Sequence, residues 1–466
     1  MSEALPTYGE LTDEVRELRR QLEALQAENA RLRSQLDEAH KASKRQAAPF
    51  RKGPPKLDPK TPGRKSGQQH GKHGHRTPPP DDSIDETIEA HLPEACSGCG
   101  SPITETEVVD QFQTEIPRRP IHRKFHVHVG QCQGCGCRVQ GRHPLQTSDA
   151  IGACASQIGP DAQAAVVILN KEAGLSHGKI VETFDTLFGI PLTRGASAQI
   201  VLRAADRLEP AYQEIRNEIS EAPRLTVDET GWRVGGQPAW LHAWVSERAT
   251  CYAIDPLRRA DALEAVIGID WDGVLIHDGW SSYDRFEEAV HQQCLAHVIR
   301  RSRELLAGAT RGGVHFPRQV IDLLTGAIHL RNEYVAGRVC EEIWSRARDE
   351  WEGRLLKIVN ARRTVPEYQT LSGHLARHFE SWFGFLTDAK LPATNWEAEQ
   401  AIRPAVVNRK VWGGNRTESG ARAQGILSSV LRTCRQQKQS VIHFVSRTLR
   451  AFRNRFLARP ILLPTR

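Results

Sequence analysis

No apolar run in this chain approaches the roughly 20 residues that a membrane-spanning helix requires, so a membrane partner is excluded from the outset. The opening residues, MSEALPTYGELTDE, are acidic and polar, whereas a signal peptide is basic and then apolar. Export is therefore not expected, and the ten cysteines should be mostly reduced. Acidic residues are nearly missing from two long stretches. Residues 41–80 carry eleven Lys or Arg against Asp58 alone, and residues 401–466 carry fourteen against Glu418 alone. The formal net charge is only +7, so the rest of the chain is net acidic. Two basic segments flanking a more acidic middle point to a polyanion gripped at particular places rather than to general stickiness.

What is present reads as a string of distinct parts, and 466 residues leave room for several domains. Residues 8–40 read as a leucine-zipper coiled coil. Leu11, Leu18, Leu25 and Leu32 fall at d, and Val15, Leu22, Asn29 and Leu36 at a. That pattern favours a parallel homodimer whose register one buried Asn fixes. Residues 41–85 mix Lys, Arg, Pro, Gly and His with almost nothing to bury, and read as a disordered basic linker. Residues 86–145 contain Cys96-Ser-Gly-Cys99 and Cys132-Gln-Gly-Cys135 around an alternating, strand-like stretch. Two such knuckles predict a zinc ribbon in which four thiolates hold a structural Zn²⁺, with Cys137 as a possible substitute ligand. Residues 146–215 read as helical. Ser176 and Thr193 are candidate caps around a Gly189-Ile-Pro191 turn, which makes a helix-turn-helix candidate with Arg194, Ser197 and Gln199 near the start of its second helix.

From residue 224 the period changes to that of a mixed α/β domain, placed at 220–415 with a helical insertion at about 305–390. Strands are predicted at 224–228, 240–247, 250–255 and 273–278, and a short helix at 258–267. Asp228 follows Leu225-Thr226-Val227, and Asp278 follows Val274-Leu275-Ile276-His277, so both are expected at strand ends. Glu399 lies in a helical stretch, Asn395 to Pro404, with Arg403 one turn on and Arg409 and Lys410 beyond. A basic helical region, 416–466, ends the chain. Two aspartates and a glutamate brought together by folding can hold a pair of hard divalent cations, Mg²⁺ or Mn²⁺. Such a pair suits in-line displacement at a phosphodiester. Glu397 is the poorer candidate because it faces another side of the helix.

In that order the parts resemble the transposases of the insertion-sequence-66 family. The resemblance rests on the zipper, the Arg-Lys-Ser-Gly-Gln-Gln-His-Gly-Lys-His-Gly-His linker and the paired Cys-x-x-Cys. It continues through Val227-Asp-Glu-Thr-Gly-Trp232, Asp278-Gly-Trp-Ser-Ser-Tyr283, Glu399-Gln-Ala-Ile-Arg-Pro404 and Asn408-Arg-Lys410. It implies a ribonuclease-H-like catalytic domain with Asp228, Asp278 and Glu399 as an Asp-Asp-Glu site. It further implies DNA as substrate, both the element's ends and its target, small accessory proteins of the same element, and a cytoplasmic, nucleoid-associated location in a bacterium. Cys294-Leu-Ala-His297 resembles a Cys-x-x-His element of such enzymes, with a packing or positioning role. Arg194, Ser197, Gln199, Arg403, Arg409 and Lys410 are the expected DNA contacts. One departure is Thr394, where the family usually has an acid. Two alternatives stay open: a nuclease or resolvase that cuts without joining, and an inactive zinc-containing DNA-binding derivative.

Overall fold

The computed structural model of the chain describes residues 19–28 and 31, residues 78–146 with interruptions, and residues 157–256, 261–451 and 460–463. Most of the zipper positions, the linker up to residue 77 and Cys96 lie outside the described residues. Residues 19–28 form a helix, α1, whose Leu22 and Leu25 are 55% and 63% exposed. The chain divides into two units, Met1–Pro117 and Arg118–Arg466. In the first, a short 3-10 turn at Asp81–Ser83 precedes the exposed Cys99, whose thiol lies 3.5 Å from Ser101 Oγ.

The second unit begins with an antiparallel hairpin, β1 (Val129–Gln131) and β2 (Arg138–Gln140). Its loop is a cysteine knuckle. The Cys132 amide donates to the Cys137 carbonyl at 2.8 Å, and Gly136 closes the turn onto Cys132 at 2.9 Å. The Cys137 amide, followed by the Cys137 and Cys132 thiols, bonds the Cys135 thiol and pulls its pKa down. Three helices follow: α2 (Pro160–Lys171), α3 (His177–Phe188) and α4 (Arg194–Ser220). Ser176 accepts from the Lys179 amide and Thr193 from the Ala196 amide, so each caps its helix as its side chain predicts. Gly189 ends α3 in the left-handed conformation.

The central sheet has five strands in the order β5-β4-β3-β6-β7. Strands β3 (Arg224–Val234), β4 (Gln237–Val245) and β5 (Thr250–Asp255) run as an antiparallel meander, while β6 (Val274–His277) and β7 (Val290–Gln293) lie parallel to β3. Two expectations are corrected here. Asp228 is not at a strand end but in the middle of β3, because Gly235 and Gly236, both at positive φ, turn a long hairpin that keeps the chain extended to Val234. The insertion also begins earlier than residue 305. Residues 290–293 form an edge strand before α6 (Leu295–Gly308) opens the helical part. Val-His-Gln-Gln lacks an apolar alternation because its glutamines are buried for polar work: Gln292 bonds the Phe385 amide and the Trp382 carbonyl.

Both faces of the sheet are covered. Leu225 and Val227 pack one face against α4, α5 (Asp261–Ile267) and the C-terminal helices α11 (Glu418–Gln436) and α12 (Val441–Ala451). The other face, with Trp232, Leu241 and Ala243, packs against Ala398, Ala401, Ile402 and Ala405 of α10 (Trp396–Trp412). The helices α6, α7 (His315–Val335), α8 (Glu341–Asn360) and α9 (Pro366–Arg377) bury a third cluster of their own around Leu324, Trp382 and Phe385. A self-sufficient core explains how so long an insertion can interrupt the domain between β7 and α10 without disturbing the sheet. Among the described residues no helix is long and apolar enough to cross a membrane.

Candidate active site

Strand register brings the two aspartates together. The parallel ladder pairs Leu225 with Leu275 and Thr226 with Ile276. Carried two positions further, it sets Asp228 beside Asp278, on neighbouring strands about 4.8 Å apart. Side chains alternate along a strand, so Asp228 shares its face with Thr226 and Trp232, the face that α10 covers. Asp278 stands where β6 has ended and β3 continues, so the parallel ladder stops before it.

Local backbone fixes both carboxylates. The Glu229 amide donates to Asp228 Oδ1 at 3.0 Å, and the Trp280 amide donates to Asp278 Oδ1 at 3.0 Å. The turn after Asp278 requires Gly279, which sits at φ +88; a Cβ there would stand 2.6 Å from Gln293 Oε1 and 3.0 Å from the His374 ring. Beneath the turn, buried His277 donates to or accepts from His291 at 2.9 Å, and its Nδ1 accepts from the Gly279 amide at 3.1 Å. Burial pushes the Asp228 carboxyl up to about 8, and the negative charges of Glu229, Asp278 and Glu399 push the same way. Glu399 thus lies within electrostatic reach of Asp228, and Glu397 does not enter among its causes. Glu397 instead accepts from Thr226 Oγ1 at 3.2 Å and lies 3.9 Å from Arg224.

Glu399 occupies the first turn of α10, where a negative side chain complements the helix dipole. Its Oε1 lies 3.6 Å from His297 Nε2 and 3.7 Å from Arg300. The Cys-x-x-His element works at the same place. Cys294 caps α6, and its sulfur accepts from the Asn395 amide at 3.3 Å, just before α10 begins. The amide of Leu295 donates to the Ala393 carbonyl at 3.0 Å. The start of α6 is therefore stitched to the start of α10, which sets where Glu399 emerges. Asn395 is fully buried beside Val227, next to Thr394, and among the described residues its Oδ1 has no hydrogen-bond partner.

The acids are gathered but not folded onto one point. Among the described residues no three His, Cys, Asp or Glu side chains form a ready cation cage, and Glu399 is drawn toward His297 and Arg300. The donors still fit a hard divalent cation. They are all carboxylate oxygens, and the burial that raises the Asp228 pKa, together with the repulsion from Glu229, Asp278 and Glu399, is what such a cation offsets.

Several expected DNA contacts are placed differently. Ser197 is fully buried and its hydroxyl lies 2.9 Å from His177 Nδ1, so it is a tie between α3 and α4 and cannot reach a groove. Arg409 donates to the Gly231 carbonyl, with Thr230 Oγ1 at 3.4 Å, so it pins α10 to β3. Arg194, Gln199, Arg403 and Lys410 are exposed. Sequence reasoning missed Arg300 and His374. The first lies in a run of basic residues on α6 that carries no motif. The second is on α9, nearly 100 positions from Asp278, although the Asp278 charge acts on it.

The family model described as "Transposase IS66 family" matches residues 155–423, more than half of the chain. A relative in Sinorhizobium fredii (strain NBRC 101917 / NGR234), called "Uncharacterized protein y4qI", is 23% identical over 295 residues. That match covers 56% of this chain and 53% of the relative, so the chain spans about half the length of the relative. The matched region contains both aspartates, the insertion and Glu399, and the chain belongs to the IS66 family of transposases.

Proposed function

We propose that the chain cuts DNA at the ends of an insertion sequence and joins the freed 3′ ends to target DNA. The observation that carries this is the action of the Asp278 and Glu399 charges on Asp228, past the end of a parallel register that runs to Thr226 and Ile276, inside a transposase-family domain. The sheet order, an antiparallel meander followed by two parallel strands with the acids on its central pair, supports a ribonuclease-H-like reading.

Asp228, Asp278 and Glu399 would hold the divalent cations, Mg²⁺ or Mn²⁺. Bound there, the cations would supply Lewis-acid chemistry that makes a hydroxyl more nucleophilic and neutralises charge on the phosphoryl oxygens. The protein residues have separate tasks. Asp228, with its pKa near 8, keeps its proton at neutral pH until opposing charge arrives, so cation uptake releases a proton. The Cys294 tie and His297 hold Glu399 at the mouth of the site. Exposed Arg403 and Lys410 lie on the same helix and meet backbone phosphates, as Arg194 and Gln199 do from α4. In cleavage, water attacks phosphorus, the bond to O3′ breaks, and the 3′ oxygen takes up a proton. In joining, that hydroxyl displaces an O3′ of the target, so one phosphodiester replaces another.

Cys132 and Cys135 share a knuckle whose hydrogen bonds favour the Cys135 thiolate, the form a structural Zn²⁺ requires. With Cys96 and Cys99 they would complete a ribbon. Exposed Leu22 and Leu25 suit a parallel homodimer, which would bring two ends together. Accessory proteins of the same element would complete the machinery. The test is a pre-cleaved oligonucleotide end with a free 3′-hydroxyl, supplied with target DNA and Mg²⁺. Joined product supports the proposal. Cutting of intact ends without joining would make the chain a nuclease, and no dependence on Asp228 would make it a binding derivative.

A further inference from the structure

On the side of α10 away from Glu399 lies a cavity of about 290 Å³ between α2, α10 and α11. It contains an unusual group. Lys171, the last residue of α2, is only 6% exposed. Lysines are rarely buried so fully unless a carboxylate balances them. Among the described residues this one makes no ion pair, because the adjacent Glu172 is taken by Arg435 at 2.6 and 2.7 Å. The Lys171 ammonium instead donates to Gln424 Oε1 at 2.8 Å and lies 5.7 Å from the centre of the Trp412 ring. Arg432 and Ser428 line the cavity beside the already neutralised Arg435–Glu172 pair, while the Gln424 and Asn408 amides donate to Ser428 and to the Lys171 carbonyl and the rest of the wall is largely apolar.

We infer that this cavity is a phosphate subsite, with Lys171 as its buried cation and Arg432 at its mouth, which takes one backbone phosphate of the bound DNA. An arriving phosphate supplies the counter-charge that Lys171 lacks. Burial alone brings the lysine down to about 7, so near neutral pH it is poised to regain its full charge when an anion enters. Asn408, on the cavity side, is nine residues along α10 from Glu399, about 13 Å along the helix axis at 1.5 Å per residue and on its opposite face. The subsite would therefore hold a phosphate away from the acids.

The test uses the full chain and the variant Lys171→Met, which keeps the length of the stem and leaves intact the bond from Asn408 to the Lys171 carbonyl. Removing an unpaired buried charge should leave the fold as stable as before or more so. In the DNA arm, binding to an element-end duplex is followed across a salt series. The variant should bind roughly tenfold more weakly, with its salt slope reduced by about one. Arg432→Gln, at the rim, should lower the slope in the same direction. In the second arm, inorganic phosphate at constant ionic strength should raise the unfolding midpoint of the parent chain and not of Lys171→Met. The DNA arm rests on the proposed DNA reaction and the phosphate arm does not. A chain that binds no DNA but responds to phosphate would therefore count against the reaction, not the pocket. Phosphate stabilisation with unchanged DNA binding would overturn the DNA source. No response to Lys171→Met in either arm would overturn the subsite.

Discussion

Asp228→Asn should make the metal-free protein more stable while abolishing its chemistry. In the fold the Asp228 carboxyl is pushed up to about 8 from an ordinary value of 3.8, first by burial and then by Glu229, Asp278 and Glu399. Between those two values the folded chain binds the proton more tightly than the unfolded chain, so stability falls as pH rises through the window. Above pH 8 the loss is complete, and below pH 4 it vanishes. A shift of about four units at 1.36 kcal/mol each sets a ceiling of about 5 kcal/mol. Partial access to water brings the expected gain for an uncharged amide to roughly 2–3 kcal/mol at pH 8. For a chain this large that is an increase of about 2–3 °C in unfolding midpoint. The assay is thermal unfolding of parent and variant in chelator, at pH 5 and at pH 8, repeated with Mg²⁺. The variant should show that increase at pH 8 and much less at pH 5. Mg²⁺ should stabilise the parent strongly and the variant weakly. Equal midpoints at pH 8 in chelator would refute the reasoning that the acids repel one another in an enclosed site.

Four further outcomes are expected, three at the acids and one at the cysteine knuckle. Glu399→Gln should abolish cleavage with DNA binding retained. Glu397→Gln, which only loosens the tie to Thr226 and Arg224, should keep cleavage within about tenfold of the parent, measured on one labelled duplex. His297→Ala should weaken apparent Mg²⁺ affinity about 10–100-fold, as loss of an orienting partner does, and raised Mg²⁺ should recover most of the activity. Cys132→Ser with Cys135→Ser should remove bound zinc, read by elemental analysis, while the helical content of the family domain stays unchanged by circular dichroism.

The site was legible where local sequence and local structure coincide. Val274-Leu-Ile-His-Asp278-Gly reads as a buried strand leaving the sheet at an acid, and the strand ends at His277. Ser176 and Thr193 cap their helices because capping needs only the next three residues. Glu399 was readable as a helical acid, but not its neighbours, since His297 and Arg300 reach it from about 100 residues away. Asp228 was found for its apolar lead-in and misplaced at a strand end, because Glu-Thr-Gly resembles a loop and only pairing with β4 keeps it extended. Ser197 and Arg409 show the opposite failure. Both are polar residues at positions that look suited to DNA, and tertiary packing spends one on His177 and the other on the β3 backbone. Nothing local marks Lys171 as buried; its environment is made by α10 and α11, more than 200 residues on.

The central claim, that Asp228, Asp278 and Glu399 form one cation-dependent site for cutting and joining DNA, is tested most directly with Asp278→Asn. Parent and variant would be given a labelled element-end duplex and Mg²⁺ under conditions where both bind it equally. Strand cleavage and joining by the parent, with neither by the variant, is the result predicted. Cleavage by Asp278→Asn at the parental rate would contradict it.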